Sequence, residues 1–290
     1  MIRFNKNTSP LGELLGKEPA PLVHDFHGLG LCSESGLHEL LTTTPRECLK
    51  AKTASQQRQE RFSTQNISRH KVLELFEKTE EDMWIVLHEI EHNPILIPLF
   101  REMASFLKEN LPPYFGNIRL CTGSIFISRG TASTPYHLDY GSNILLQLCG
   151  NKHFLAFSPN DPELVPKQAL KEFFKGDATP PSLIYSPAFE KKALMLDLKP
   201  GDGIYMPSTS PHCTDTQGSQ VSVTLSLSFI APVAEHLRRT NLFDSKFPHL
   251  AFVPGWVKQG LLACYEPLRQ GFGGRQPQHK SFKPDVFQSK

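Results

Sequence analysis

Three residues of this chain have the types and spacing of a metal centre: His137, Asp139 and His212. In an extended strand successive side chains alternate between faces, so His137 and Asp139, two positions apart, point the same way and can bind one ion. The third ligand then has to come from another strand. Two imidazoles and one carboxylate leave coordination positions open for reactants and suit Fe(II), so the pattern predicts a reactive metal site.

The segments around these residues predict the strands that would position them. An apolar run over 143–150 closes at a Gly turn, and a second run begins at Lys152. Pro-Gly-Asp at 200–202 is a turn signal that precedes a short strand. Residues 219–230 alternate between polar and apolar types, which predicts a half-buried strand whose apolar positions are Val221, Val223, Leu225, Leu227 and Phe229.

The order of these motifs resembles that of the JmjC-type cupin oxygenases, most closely their small hydroxylases: Thr-Pro-x-His-x-Asp, Gly-x-Lys, Pro-Gly-Asp-x-x-Tyr-x-Pro and a final His. The similarity covers residues 117–230. It implies a mostly β fold with flanking helices, built on a double-stranded β-helix of the jelly-roll type. It also implies Fe(II), 2-oxoglutarate as cosubstrate and O2 as oxidant, with succinate and CO2 as coproducts.

The resemblance also assigns roles to individual residues. His137, Asp139 and His212 would be the catalytic iron ligands. Lys152 would pair with the distal carboxylate of 2-oxoglutarate, and Thr134 would donate a hydroxyl to the same carboxylate. Two further residues match positions near the cosubstrate, namely Asn143 and Ser228.

Two features of the motif region leave questions for the structure. A lysine inside an apolar barrel is costly unless its charge is paired, but the Gly-Asn turn signal before Lys152 leaves an exposed lysine as the alternative. The chain also departs from the family pattern just before the last histidine. Aromatic residues often stand there, whereas this chain has Ser208, Thr209, Ser210 and Pro211.

Several functions remain open at this point. The favoured one is 2-oxoglutarate-dependent hydroxylation of a C–H bond in a protein or peptide side chain or a small molecule. An N-methyl-lysine demethylase would use the same oxidant, although no chromatin-reader module or zinc cluster accompanies the motifs. A metal cupin without 2-oxoglutarate would keep the triad and not need Lys152. A non-enzymatic barrel kept for protein binding is disfavoured because all three ligand types are intact.

A competing metal motif, His-Glu-x-x-His, occupies residues 88–92. In zinc peptidases these two histidines lie one turn apart in a continuous helix. Pro94 follows two residues later and disfavours such a helix, while the preceding Met-Trp-Ile-Val-Leu run is typical of a strand. We therefore expect a strand that ends near His88 and a helix that starts near Asn93, with Asn93 as its cap, and no zinc site.

Composition limits the partners. The chain has 290 residues and a net charge of +2 with no long basic block, so nucleic acid is not expected as a partner. No apolar run approaches the roughly 20 residues that cross a bilayer, so no membrane association is expected. The six cysteines show no Cys-x-x-Cys spacing and no secretory signal precedes them, which predicts reduced thiols in a cytoplasmic protein.

The remaining patterns suggest four regions. Residues 1–116 would supply helices near 9–15, 36–44 and 68–79, an edge strand at 22–26, and the longest helix at 93–110. Residues 117–230 would form the core. Residues 231–270 would supply C-terminal helices, at 231–241 and 254–268, through which the chain would dimerise, by analogy alone. Residues 271–290 would be a flexible tail.

The Pro-rich insertion at 159–192 is expected to hold a short helix, to supply Tyr185 and Phe189 to the pocket, and to order over bound substrate.

Overall fold

The computed structural model describes residues 2–4, 16–26, 30–52, 58–59, 68–78, 82–111, 120–216, 220–250, 253–254 and 256–263. The expected helix at 9–15 lies outside these residues, as do residues 264–268 of the expected C-terminal helix and the expected tail at 271–290. In the part of the chain that the structure describes, no helix is long and apolar enough to span a bilayer.

Twelve strands, counted over the described residues, form two antiparallel sheets. The larger sheet has the order β1-β2-β10-β7-β12-β5-β4-β3, and the smaller has the order β6-β11-β8-β9. The strands are β1 Ile2–Phe4, β2 Ala20–His24, β3 Leu49–Lys52, β4 Met83–His88, β5 Leu120–Arg129, β6 Ser133–His137, β7 Ser142–Cys149, β8 Lys152–Ala156, β9 Leu194–Leu198, β10 Asp202–Met206, β11 His212–Asp215 and β12 Ser222–Ile230. The predicted mostly β, jelly-roll architecture is confirmed.

Helices from the N-terminal part of the chain pack on one face of the larger sheet. The helices of the described residues are α1 Glu34–Thr43, α2 Arg69–Glu77, α3 Ile97–Asn110, α4 Lys167–Phe174 and α5 Pro232–Lys246, and residues 256–263 are also helical. The side chains of Ser33 and Ser68 cap α1 and α2, because each accepts a hydrogen bond from a backbone N–H of the first turn. Apolar residues of α1, α2 and α3 share one core cluster with the larger sheet.

Strand β12 shows how the alternating pattern builds both the core and the interior of the barrel. Its apolar side chains are fully buried in the helix-covered core: Val223, Leu225, Leu227 and Phe229. Burial of each such side chain contributes roughly 1.5–3 kcal/mol. Its polar side chains point to the opposite face, and Ser222, Thr224 and Ser226 are buried as well. The strand is therefore buried on both faces, and the half-buried prediction was wrong because the second sheet covers the polar face.

Several expected boundaries also differ. The expected edge strand at 22–26 is β2, which lies between β1 and β10 and is not an edge. Helix α3 begins at Ile97, because the side chain of Asn93 accepts a hydrogen bond from the backbone N–H of Ile95 and closes a turn ahead of the helix. Among the helices of the described residues the longest is α5, with 15 residues against 14 for α3.

The expected reduced state of all cysteines was wrong for one pair. Cys32 and Cys149 form a disulfide across a sequence separation of 117 residues. The pairing could not be read from spacing, because it depends on the start of α1 lying beside the end of β7. Cys48 and Cys213 are buried and are not part of a disulfide.

The insertion at 159–192 packs as a layer on the smaller sheet. Leu164, Val165 and Tyr185 form an apolar cluster with Tyr136 and other residues of that sheet, and Phe189 packs against the cluster. Lys192 forms ion pairs with Asp161 and Glu163 at 2.8 and 2.5 Å. Tyr185 and Phe189 therefore lie in this cluster and do not line the cavity described below. The expected short helix is α4.

Candidate metal centre

The three predicted ligands converge at one end of the barrel. His137 ends β6 and His212 begins β11, and the two residues are directly paired across the strands. Asp139 lies two residues after the end of β6, so a short loop and not the strand itself presents its carboxylate. The carboxylate oxygens lie 3.9 Å from Nε2 of His137 and 3.7 Å from Nε2 of His212. One ligand atom from each residue lies within 4.8 Å of the others, which suits a single ion.

Backbone carbonyls fix the tautomers of both histidines. Nδ1 of His137 lies 2.7 Å from the carbonyl oxygen of Pro135, and Nδ1 of His212 lies 3.1 Å from that of Ser210. A carbonyl can only accept, so each Nδ1 carries the proton and each Nε2 presents its lone pair. Neutral imidazoles with such partners are the form that binds metal. These partners were invisible in the sequence.

A hydrogen-bonded chain orients the carboxylate. Nδ2 of Asn143 donates to Oδ2 of Asp139 at 2.7 Å, and the hydroxyl of Ser228 donates to Oδ1 of Asn143. Asn143 and Ser228 were predicted to lie near the cosubstrate. Asn143 lines the same cavity as Lys152, and together with Ser228 it orients the predicted ligand Asp139 by holding one carboxylate oxygen so that the other can face an ion.

The loop before His212 is tied to the loop that carries Asp139. Thr209 has a left-handed backbone with a φ of 60°, which is unusual for a β-branched residue, and its N–H donates to the carbonyl of Asp139 at 2.9 Å. The hydroxyl of Ser208 donates to the carbonyl of Tyr140 at 2.7 Å. The residues that replace the usual aromatics thus brace the ligand loop by hydrogen bonds, and a strained conformation at such a place is typical of functional sites.

The triad opens into a cavity of about 350 Å³ between the two sheets. Most of its wall is apolar. The larger sheet contributes Trp84, Val86, His88, Phe126, Asn143, Leu145, Met206 and Ser226, and the smaller sheet contributes Thr134, His137, Lys152, Phe154, His212 and Thr214. Leu138 and Asp139 line it from the ligand loop and Ala178 from the insertion. The ring of Phe154 stacks on His212 with centroids 5.8 Å apart.

Lys152 is buried inside this cavity. Its side chain is 5% exposed, and burial lowers its pKa to about 8. Among the described residues no carboxylate pairs with it. Strand β8 begins at this lysine, directly after a turn that requires glycine at position 150. Gly150 has a φ of 64°, and a Cβ there would lie 2.5 Å from the carbonyl oxygen of Val221. The alternative of an exposed turn lysine is wrong.

An irregularity in β6 brings Thr134 to the same face as the metal ligand. Residues three apart on a regular strand point in opposite directions, yet Thr134 and His137 both line the cavity. The pairing of β6 with β11 shifts register between His212 and Thr214, so that one residue of β11, Cys213, lies opposite two residues of β6. Such bulges are common beside active sites because they redirect a side chain.

The His-Glu-x-x-His motif does not form a metal site. His88 ends β4 and lines the cavity, whereas His92 is exposed after a sharp turn in which Glu89 has a φ of 54°. Glu91 accepts hydrogen bonds from the side chain of Thr122 and the N–H of Gly123. The absence of a continuous helix was predicted correctly. The position of His88 in the cavity wall, where its Nδ1 lies 3.1 Å from the hydroxyl of Ser124, was missed.

A model of the cupin-like domain family matches residues 35–227. The chain belongs to this family. The match begins well before residue 117, in agreement with the pairing of β3 and β4 into the larger sheet. The resemblance of the motifs to JmjC-type cupins is thereby confirmed at the level of the family and its fold.

Individual relatives of this cupin-like domain are distant. HSPB1-associated protein 1 from mouse and from rat are each 32% identical to it over 126 residues, which is 41% of this chain and 26% of each relative. The match thus spans about a quarter of the length of these curated relatives. A crystal structure of ycfD from Escherichia coli has a TM-score of 0.53 at 15% identity, over 99% of this chain and 66% of that one, and so shows the same fold.

Proposed function

We propose that this cupin-like protein is an Fe(II)- and 2-oxoglutarate-dependent oxygenase that hydroxylates a C–H bond of a protein or peptide side chain or of a small molecule. The observation that carries the proposal is the buried ammonium of Lys152 in the cavity of the metal triad. A buried cation without a carboxylate partner in the described residues is costly, and an anionic ligand removes that cost. A dicarboxylate that also reaches the metal fits this arrangement.

The donor set supports iron. Two neutral imidazoles and one carboxylate are the ligands that non-haem Fe(II) sites use, and they leave positions open for a chelating cosubstrate and O2. His137, Asp139 and His212 would hold the ion, which supplies the oxidising chemistry when 2-oxoglutarate and O2 are bound. The chain itself orients the reactants: Asn143 holds Asp139, and the apolar wall excludes water from the reacting groups.

The charge of the cavity favours hydroxylation over the alternatives. Among the described lining residues Asp139 is the only carboxylate, and it would be a ligand of the metal. With Asp139 as a metal ligand, a methylated lysine substrate would bring an ammonium with no anionic partner close to Lys152, which disfavours demethylation. A metal cupin that does not use 2-oxoglutarate would leave the buried charge of Lys152 without a function.

The deciding experiment is a titration of 2-oxoglutarate into the anaerobic Fe(II) protein, followed by its metal-to-ligand charge-transfer band. Replacement of Lys152 by Ala should weaken binding by roughly 3–5 kcal/mol, a hundredfold or more, because a buried carboxylate would lose its counterion. Iron content should stay near that of the wild type, since Lys152 is not a ligand. An unchanged midpoint in Lys152→Ala would refute the proposal.

Turnover provides a second, independent readout. Fe(II), 2-oxoglutarate and O2 together should yield succinate, and a true substrate should gain the mass of one oxygen atom. Succinate formation should be lost in His212→Ala. If the wild type binds 2-oxoglutarate but forms no succinate with or without candidate substrates, the oxygenase assignment fails although the binding site stands.

A further inference from the structure

Thr214 is a cavity residue to which neither the sequence motifs nor the family resemblance gave a role. It lies on β11, two residues after the metal ligand His212, and is 7% exposed. Among the described residues its hydroxyl has no hydrogen-bond partner. The hydroxyl is not sealed in the protein interior but opens into the cavity, and a polar group that lacks a protein partner usually bonds to water or a ligand, so its position needs an explanation.

The neighbours of Thr214 give that explanation. Thr134 is its direct partner on β6, and Phe154 is its direct partner on β8. Directly opposed residues of antiparallel strands have Cβ atoms about 4.5–5.5 Å apart. Lys152 lies two residues before Phe154, at the diagonal position that long side chains reach. Thr134, Thr214 and Lys152 thus come from three adjacent strands and line one cavity.

Two threonines of the barrel outside the cavity lining have their hydroxyls bonded within the protein, whereas the hydroxyl of Ser226, which lines the cavity from the larger sheet, has no partner among the described residues. The hydroxyls of Ser128 and Thr216 lie 2.9 Å apart, and that of Thr224 donates to Gln147 at 2.7 Å. Within the described residues, the hydroxyls of Thr134 and Thr214 and the ammonium of Lys152 have no such partners. Three donors that face the same space without partners form a site for an acceptor group that is not part of the chain.

We infer that Thr214 is a binding residue for the distal carboxylate of the 2-oxo acid, as a second hydroxyl donor beside Thr134 and Lys152. This inference rests on the proposed function. A carboxylate has two oxygens with about four lone-pair sites, so it can accept from one ammonium and two hydroxyls at once. These three donors would select a 2-oxo acid with a terminal carboxylate over one that ends in a methyl group.

The test compares two cosubstrate analogues in the anaerobic Fe(II) protein: 2-oxoglutarate, and 2-oxopentanoate, which has a methyl group in place of the distal carboxylate. Thr214→Val keeps the shape of the side chain but removes the hydroxyl. It should weaken 2-oxoglutarate by roughly ten- to a hundredfold, as expected for a hydrogen bond to a charged group, and should leave 2-oxopentanoate unchanged within about twofold. Thr214→Ser should restore most of the affinity for 2-oxoglutarate.

Thr216→Val is the matched control, since Thr216 follows two residues later in the chain, is buried, and bonds to Ser128 outside the cavity lining. It should not change the affinity for either acid. If Thr214→Val fails to fold, Thr214→Ala provides the same comparison.

The outcomes separate this inference from the proposed function. A wild-type protein that gives no charge-transfer band with 2-oxoglutarate overturns both. A normal wild-type band with an unchanged midpoint in Thr214→Val, or an equal loss for both acids in that variant, overturns the role of Thr214 and leaves the proposed function standing.

Discussion

The metal triad depends on a few side chains whose orientation is set by their immediate neighbours. Replacement of His137 or His212 by Ala should abolish retention of Fe(II), because either change removes one of three ligands that converge. His88→Ala is the matched control, since His88 lines the same cavity but is not in the triad. Metal analysis after desalting, with circular dichroism to verify folding, measures both. Iron loss in His88→Ala together with retention in His212→Ala would refute the assignment.

The charge of Lys152 should make cosubstrate binding depend on pH. Burial lowers the pKa of this lysine to about 8 in the free protein, so the ammonium is present below that pH and is lost above it. Only the charged form pairs with a carboxylate. The affinity for 2-oxoglutarate should therefore fall about tenfold per pH unit above pH 8 and be nearly constant below it, as read from the charge-transfer titration at pH 7 to 9.

The variant Lys152→Arg is the control for this pH titration. A guanidinium stays protonated throughout the range, so any affinity that this variant keeps should be independent of pH. A wild-type profile that is flat between pH 7 and 9 would contradict the role given to the ammonium.

At the scale of elements, the disulfide ties the start of α1 to the end of β7, three residues before Lys152. A cross-link over 117 residues restricts the unfolded chain, and its removal by Cys149→Ser should lower the free energy of unfolding by about 2–4 kcal/mol. Urea denaturation with and without a reducing agent measures the change. Reduced wild type should match Cys149→Ser, whereas Cys48→Ser should keep the response to reduction.

The insertion is the second element with a testable role. Residue Ala178 lines the cavity, and Lys192 holds the two ends of the segment together through Asp161 and Glu163. We expect the segment 161–192 to order further over bound substrate, so that protease cleavage within it slows when Fe(II), 2-oxoglutarate and substrate are added. Lys192→Ala should accelerate cleavage in the free protein. Equal cleavage rates with and without ligands would leave the segment as a fixed surface layer.

At the scale of the whole molecule, the C-terminal helices are the expected site of homodimer formation. Val233 on α5 and Trp256 on the helix 256–263 are 55% and 78% exposed, and large exposed apolar side chains often mark an interface. The protein should sediment as a dimer, and Trp256→Asp should shift it toward the monomer by burying a charge at the interface. Analytical ultracentrifugation of both proteins decides this, and a monomeric wild type would refute the prediction.

Helix α5 is also hydrogen-bonded to the loop that carries Asp139. Tyr140, next to the ligand Asp139, donates its hydroxyl to Glu235 of α5, which also pairs with Arg238 and Arg239. The Glu235 carboxylate is half-buried, which by itself raises its pKa, but hydrogen bonds from Arg238, Tyr140 and Arg239 outweigh this and lower the pKa to about 2. It is therefore charged at any physiological pH and gives a constant link between α5 and the ligand loop.

The residue types of the candidate site and the class of the fold could be predicted from the sequence. Ligand types, their spacing and the alternation of strands are local properties of the chain, so the convergence of His137, Asp139 and His212 and the interior position of Lys152 could be predicted from motifs. The same local rules predicted that no continuous helix runs through residues 88–92, because Pro94 is incompatible with a helix that continues past His92.

Which distant residues meet could be read only from the tertiary structure. The Cys32–Cys149 bond, the bulge that redirects Thr134 and the neighbours of Thr214 depend on contacts between segments that are far apart in the sequence. Strand periodicity states which face a side chain is on, but a single shift in register reverses it. Burial on the second face of β12 likewise required the other sheet, whose position no local pattern encodes.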